Sequence, residues 1–215
     1  PNGSGKTTLV KLLCRLYDPT QGSITLDGID LRSFDIVELR KHLSVMFQDF
    51  TQYLLAVREN IRLGDVALDP EDPAIEKAAR DADAHEAILR LRHGYDTLLG
   101  RWFDEGEELS IGEWQKIALA RAFVRDAQIL IFDEPTSTLD PRSEWEVFRH
   151  IQERTEGRAI VLISHRFSTV RNADHIYVLD GGHIIERGSH EELLALDGRY
   201  AAMFRIQAQG FRGTE

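Results

Sequence analysis

Gly3-Ser4-Gly5-Lys6-Thr7-Thr8 stands at the head of the chain and runs straight into Leu9, Leu12, Leu13 and Leu16, an apolar set at helical spacing. The six residues fill most of the pattern G-x-x-x-x-G-K-S/T. Gly5, Lys6 and Thr7 take its last three positions, and the first glycine would precede Pro1. Glycines there let backbone N–H groups curl around phosphate oxygens. The helix N-terminus adds its partial positive charge, and Lys6 reaches the outer phosphates. Thr7 offers a hydroxyl to Mg2+. In isolation the stretch is a glycine-rich turn before a helix. Its position directly ahead of an apolar-periodic helix favours the phosphate reading.

Outward from that loop, helical and strand signals alternate. Lys6–Leu16 carries the first helical period, which Pro19 and Gly22 end. Ser23–Asp27 alternates like a strand, and Asp27-Gly28 reads as a turn. Asp35 is placed to cap a short helix over Ile36–Lys41, and Leu43–Phe47 reads as a strand. From about Asp49 to Gly112 the character changes. Glu71–Leu91 is rich in Ala, Glu, Asp and Arg, with Ile75, Ala78, Ala79 and Ala82 at helical spacing. Ile111–Val124 continues as a helix with Ile117, Leu119, Ala120 and Phe123 on or near its apolar face.

Ile129–Phe132 and Ala159–Ile163 are short apolar runs of the buried-strand type. Between them, Pro141 opens a helix over Arg142–Glu153. Ile176–Leu179 and Ile184–Arg187 flank Asp180-Gly181-Gly182 as a hairpin. Glu191–Leu196 and Tyr200–Gln207 read as terminal helices, with a frayed tail from Gly210. The alternation gives an α/β fold with a largely parallel sheet, only the late hairpin being antiparallel. The expected division is a core of residues 1–48 and 116–215 and a mostly helical sub-domain of residues 49–115.

The 215 residues can bury a substantial core without disulfides or metals. A net charge of −10 and a pI near 5.3 make general nucleic-acid binding a poor fit, because such binding rests on Lys and Arg neutralising phosphates. Cys14 is the single cysteine, so an internal disulfide is excluded; it is expected to pack in the core. No run approaches the roughly 20 apolar residues that cross a bilayer. The chain opens without an initiator methionine, and the expectation is that sequence upstream has been cut away.

A second stretch carries chemistry. Ile129-Leu130-Ile131-Phe132-Asp133-Glu134 is an apolar strand ending in two carboxylates. In P-loop enzymes an acid at this strand end holds the metal. Asp133 would enter the Mg2+ shell, and Glu134 would polarise the attacking water.

With these two stretches in place, the sequence resembles the ATP-binding-cassette (ABC) transporter ATPase domain. Leu109-Ser110-Ile111-Gly112-Glu113-Trp114-Gln115 is similar to the family's signature segment. Gln48 matches the Q-loop glutamine, Ser137-Thr138-Leu139-Asp140 resembles the D-loop, and His165 the switch histidine. The elements stand in the family's order, and the resemblance covers essentially the whole chain. It implies a P-loop NTPase (RecA-like) core with a helical insert. It also implies ATP and Mg2+ as ligands and head-to-tail pairing with a second nucleotide-binding domain, identical or related.

In that pairing Asn2, Gly3, Ser4, Gly5, Lys6, Thr7 and Thr8 would hold the nucleotide. Ser110, Gly112 and Asp140 would act across the interface, Ser110 on the γ-phosphate. Glu134, His165 and Gln48 would serve hydrolysis, with Thr7, Gln48 and Asp133 around the metal. The segments Met46–Phe50, Arg58–Ile61, Gly94–Thr97, Asp104–Glu108 and His165–Val170 to Ile184–Gly188 resemble exporter-type domains. The resemblance therefore implies membrane helices fused upstream and a place at the cytoplasmic face of the cell membrane. A chromosome-maintenance or DNA-repair ATPase head is the competing reading. The short interval between Gln48 and the signature leaves no room for its long coiled coils.

Three features depart from the family pattern. Ile111 replaces the usual glycine and Glu113 the common glutamine. The first P-loop glycine, the strand before it and the adenine-stacking aromatic would lie upstream, so the isolated chain is expected to bind ATP weakly or not at all. Trp102 and Phe103 could meet a membrane-domain loop or fill the core. The acidic run Asp104–Glu108 could contact a partner or simply face solvent. His85, His93, His175, His183 and His190 show no metal-ligand spacing.

Overall fold

A computed structural model describes residues 5–102, 105–135, 147–149, 151–152 and 157–212. Helix α1 (Lys6–Leu13) starts from Gly5 in a left-handed conformation, φ +96°. It ends earlier than the apolar period implies, because Arg15 turns left-handed at φ +48° and takes Leu16 out of register. Its buried stripe is Val10 and Cys14, one turn apart, while Leu9 and Leu16 are exposed. Cys14 thus packs in the core as expected.

Strands β1 (Thr25–Leu26) and β2 (Ile29–Asp30) form a second antiparallel hairpin besides the expected late one. The strand is shorter than expected because Asp27 and Gly28 both take positive φ, which a two-residue primed turn demands. Helix α2 (Ile36–Lys41) has the expected bounds. Its Asp35 carboxylate accepts from the N–H groups of Val37 and Glu38 at 2.9 and 3.0 Å. Strand β3 (Leu43–Met46) follows.

The helical segment comprises α3 (Val57–Arg62), α4 (Pro73–Asp81), α5 (His85–Leu89) and α6 (Ile111–Phe123). Asp72 caps α4, with Pro73 at the position where a missing N–H costs nothing. The helical run Glu71–Leu91 is divided between α4 and α5, with Asp83 at φ +56° between them. From Trp114 onward α6 is buried on most sides, against α3, α4 and β3. The Ser44 hydroxyl donates to the Ala122 carbonyl at 2.6 Å, and Phe123 meets Phe132 edge to face.

Strands β3, β4 (Ile129–Asp133) and β5 (Ala159–Ile163) lie in that order in one sheet. β3 and β4 are parallel, paired from Leu43↔Ile129 to Met46↔Phe132. Leu130, Ile131 and Phe132 are fully buried, which explains their unbroken apolar run. β5 differs from the expected buried strand: Ala159 and Ile160 are exposed, as befits the edge of the described sheet. The expected Pro141–Glu153 helix falls mostly outside the described residues.

After β5 come α7 (Phe167–Val170), β6 (Ile176–Asp180), β7 (His183–Gly188), α8 (His190–Ala195) and α9 (Arg199–Arg212). β6 and β7 form the expected antiparallel hairpin. Phe167, Ile176, Leu193 and Tyr200 form a buried cluster with Met203 and Phe204 packed against it. Helix α9 runs through Arg212, so Gly210 does not start a frayed tail. Two compact units result, residues 1–20 with 162–215 and residues 21–161.

Candidate functional site

In the first unit, Gly5, Lys6, Thr7 and Thr8 form the start of α1. Among the described residues no side chain caps this helix, and its first turn carries no acid, so its leading N–H groups face no competing carboxylate of their own helix. Gly5 is required by conformation and not by space. A Cβ there would meet only ordinary contacts, Gly182 Cα at 3.7 Å and Leu179 Cδ2 at 3.8 Å, but φ +96° excludes most side chains. Lys6 is half-buried, and Thr7 and Thr8 are exposed. This donor set fits a phosphate. Asn2, Gly3 and Ser4 lie outside the described residues. His165 is exposed in the turn between β5 and α7.

In the second unit, Gln48 lies two residues past Met46, and Glu134 two residues past Phe132. Met46 and Phe132 are directly paired on parallel neighbours. Both side chains therefore belong to the same end of the same strand pair, where strands run about 4.8 Å apart. Asp133 is 2% exposed, and Glu134 is half-buried with φ +49°. A glutamate held left-handed costs on the order of 1–2 kcal/mol, a form of backbone strain that gathers at functional sites. Asp140 and the rest of Ser137–Asp140 lie outside the described residues.

Ser110 and Gly112 sit at the opposite end of α6 from the contact with β3. Twelve residues of helix at 1.5 Å each carry Ser110 about 18 Å along the axis from Ala122. Ser110 is the N-cap, and it forms a capping box with Glu113. The Ser110 N–H and hydroxyl donate to the Glu113 carboxylate at 2.9 and 2.7 Å, and the Glu113 N–H donates back to the hydroxyl at 3.3 Å. Hydrogen bonds from Ser110 hold the Glu113 carboxyl below its ordinary range. Ile111 is 60% exposed, so the bulkier residue has room.

Trp102 is 87% exposed, which excludes the core-packing alternative; Phe103 lies outside the described residues. Within the acidic run, Glu107 accepts from the Arg92 N–H at 2.7 Å, a structural contact.

One network carried no sequence signal. Arg121 on α6 donates to the Asn60 carbonyl, the Asn60 side chain and the Thr51 carbonyl at 2.9, 3.0 and 3.1 Å, and lies over the Tyr53 ring. Buried Asn60 in turn donates to the carbonyls of Tyr53, Leu55 and Ala56. The stretch just after Gln48 is thereby tied to the signature helix. Asn60 falls in the quoted Arg58–Ile61 segment, but its partner is 61 residues away.

A family model described as "ABC transporter" matches residues 1–137. The chain belongs to the ABC transporter family. ABC membership makes it a nucleotide-binding ATPase domain of P-loop NTPase fold. An ATP-dependent lipid A-core flippase of Alcanivorax borkumensis is 43% identical over 205 residues, covering 95% of this chain and 34% of the relative. The exotoxin translocation ATP-binding protein PaxB of Pasteurella aerogenes is 45% identical over 208 residues, 96% of this chain and 29% of its own. A solved structure, that of a bacterial Atm1-family ABC exporter with ATP bound, superposes with a TM-score of 0.88 at 38% identity over 97% of this chain and 36% of that one. The ABC domain thus spans about a third of the length of these relatives. All three are named for export, flipping or translocation, and none for chromosome maintenance or DNA repair.

Proposed function

We propose that this ATPase domain powers transmembrane export by a larger protein. It would do so at the cytoplasmic face of a membrane, with membrane helices fused to it and a second nucleotide-binding domain paired head to tail. Residues 49–115 would form the helical sub-domain that carries the signature. The carrying observation is the placement of Gln48 and Glu134 two residues beyond a paired Met46 and Phe132, with Glu134 in a strained left-handed conformation.

In this reading the N–H groups opening α1, with Lys6 and Thr8, grip the phosphates of ATP. Gly3, Ser4 and Asn2 would extend the same loop. Glu134 accepts a proton from water as the water oxygen attacks the γ-phosphorus. The bond from that phosphorus to the β–γ bridging oxygen breaks, and ADP and phosphate leave. Thr7, Asp133 and Gln48, all oxygen donors, would hold Mg2+, which neutralises charge on the phosphates. His165 steadies the γ-phosphate and the water. Ser110, Gly112 and Asp140 of a second domain complete the clamp. The roughly 18 Å that α6 puts between Ser110 and its own β3 contact supports action on a partner's nucleotide.

The test is Glu134→Gln in the intact gene product. Turnover should fall by at least ~10²-fold, as loss of a general base does, while ATP stays bound. Unchanged turnover would overturn the role of Glu134.

A further inference from the structure

The turn bearing His165 is held from one side by a residue far along the chain. The Gln207 side-chain amide donates from Nε2 to the His165 carbonyl at 2.8 Å, and its Oε1 accepts from the Phe167 N–H at 3.3 Å. One planar amide thus bridges the backbone on both sides of Arg166. Helix α7 has only four residues and no side-chain cap, so the Phe167 N–H is one of its orphan donors; Gln207 satisfies it. The Ser164 hydroxyl accepts from the Arg166 N–H at 3.0 Å and closes the turn from within.

Helix α9, which carries Gln207, also grips Phe167 by packing. Phe167 meets Tyr200 and Phe204 edge to face, at 5.0 and 5.5 Å between ring centroids. Tyr200, Phe204 and Gln207 are spaced i, i+4, i+7, one stripe of α9. That stripe therefore faces the strap 165–167 with two aromatic rings and one amide. Both Gln207 hydrogen bonds go to backbone groups of the turn, so they serve the turn and not the aromatic packing beside it.

We propose that Gln207 is a positioning residue for His165, so that α9 belongs to the hydrolytic apparatus. The inference rests on the role given to His165 above. Both Gln207 contacts fix backbone, and the backbone direction at His165 sets where its imidazole can reach. A displacement of about 1 Å at such a group costs up to ~10²-fold in rate.

Gln207→Met, close in length and without hydrogen bonds, and Gln207→Glu, which keeps the acceptor for the Phe167 N–H, test this in the intact gene product. Each should lower kcat for ATP by about tenfold or more with KM nearly unchanged. Introduced into His165→Ala, neither should lower the residual single-turnover rate further. Amide exchange at Phe167 should accelerate in Gln207→Met and much less in Gln207→Glu. Should Gln207→Met melt far below the wild type, Gln207→Glu carries the comparison alone. Wild-type kcat in both variants would overturn the proposal, as would an equal loss with and without His165. Wild-type turnover in His165→Ala itself would overturn the role of His165, and with it this inference, whereas a loss there with normal Gln207 variants sinks only the inference.

Discussion

Ser110 and Glu113 hold each other at the head of α6, each donating a backbone or side-chain hydrogen to the other. The hydroxyl assigned to a partner's γ-phosphate is thus already hydrogen-bonded to a carboxylate, and a negative charge stands where another is to arrive.

Glu113→Gln keeps the capping geometry and removes that charge. The half-saturating ATP concentration should fall about two- to fivefold, matching the ~0.3–1 kcal/mol of one exposed charge at a helix end. Steady-state ATPase titration checks this. Acid stability should change as well. The folded-state pKa of Glu113 is depressed, so its contribution is present above the ordinary carboxylate range and lost as pH falls through the folded value. The variant should lose stability less steeply on acidification.

Tyr95 gives an alkaline counterpart. Burial pushes its phenol up to about 12, and the hydroxyl pairs with His85 Nδ1 at 2.9 Å. A raised folded pKa means that stability is intact below the unfolded value, about 10, and lost as pH rises toward the folded one. Tyr95→Phe should remove this alkaline loss and cost about 1 kcal/mol at neutral pH, measured by urea unfolding.

The left-handed Glu134 predicts opposite effects on stability and activity. Glu134→Gly and Glu134→Ala should both abolish most turnover. The glycine variant, freed from strain at φ +49°, should be the more stable by about 1 kcal/mol. Denaturation midpoints compare the pair directly.

Gly64 sits against α6. A Cβ there would fall 1.9 Å from the Arg121 carbonyl oxygen, a backbone atom that cannot swing aside. Gly64→Ala should destabilise by about 3 kcal/mol or more, seen as a large drop in Tm.

What the sequence made legible was what it encodes locally. Helix α2 has the expected bounds because Asp35 and the residues it caps are adjacent. The placement of Gly5-Lys6-Thr7 at a helix start and of Asp133-Glu134 at a strand end could be read because each stretch is contiguous with a periodic element. Single residues turning left-handed without glycine gave no warning: Arg15 cut α1 short of the apolar period, and Asp83 set a break inside the helical run Glu71–Leu91. The exposure of β5 depends on its place in the sheet. Arg121 with Asn60 and Gln207 with His165 are joined only by the fold, across 61 and 42 residues, and no local pattern marks them.

The Arg121 tie has one more consequence. Its described partners are two carbonyls, an amide oxygen and a ring, all uncharged, and burial does not bring a guanidinium near deprotonation at neutral pH. A joint made of a cation and uncharged dipoles offers little for dissolved ions to screen. The linkage between the loop after Gln48 and the helix behind Ser110 should therefore hold through swings in ionic strength that weaken exposed ion pairs.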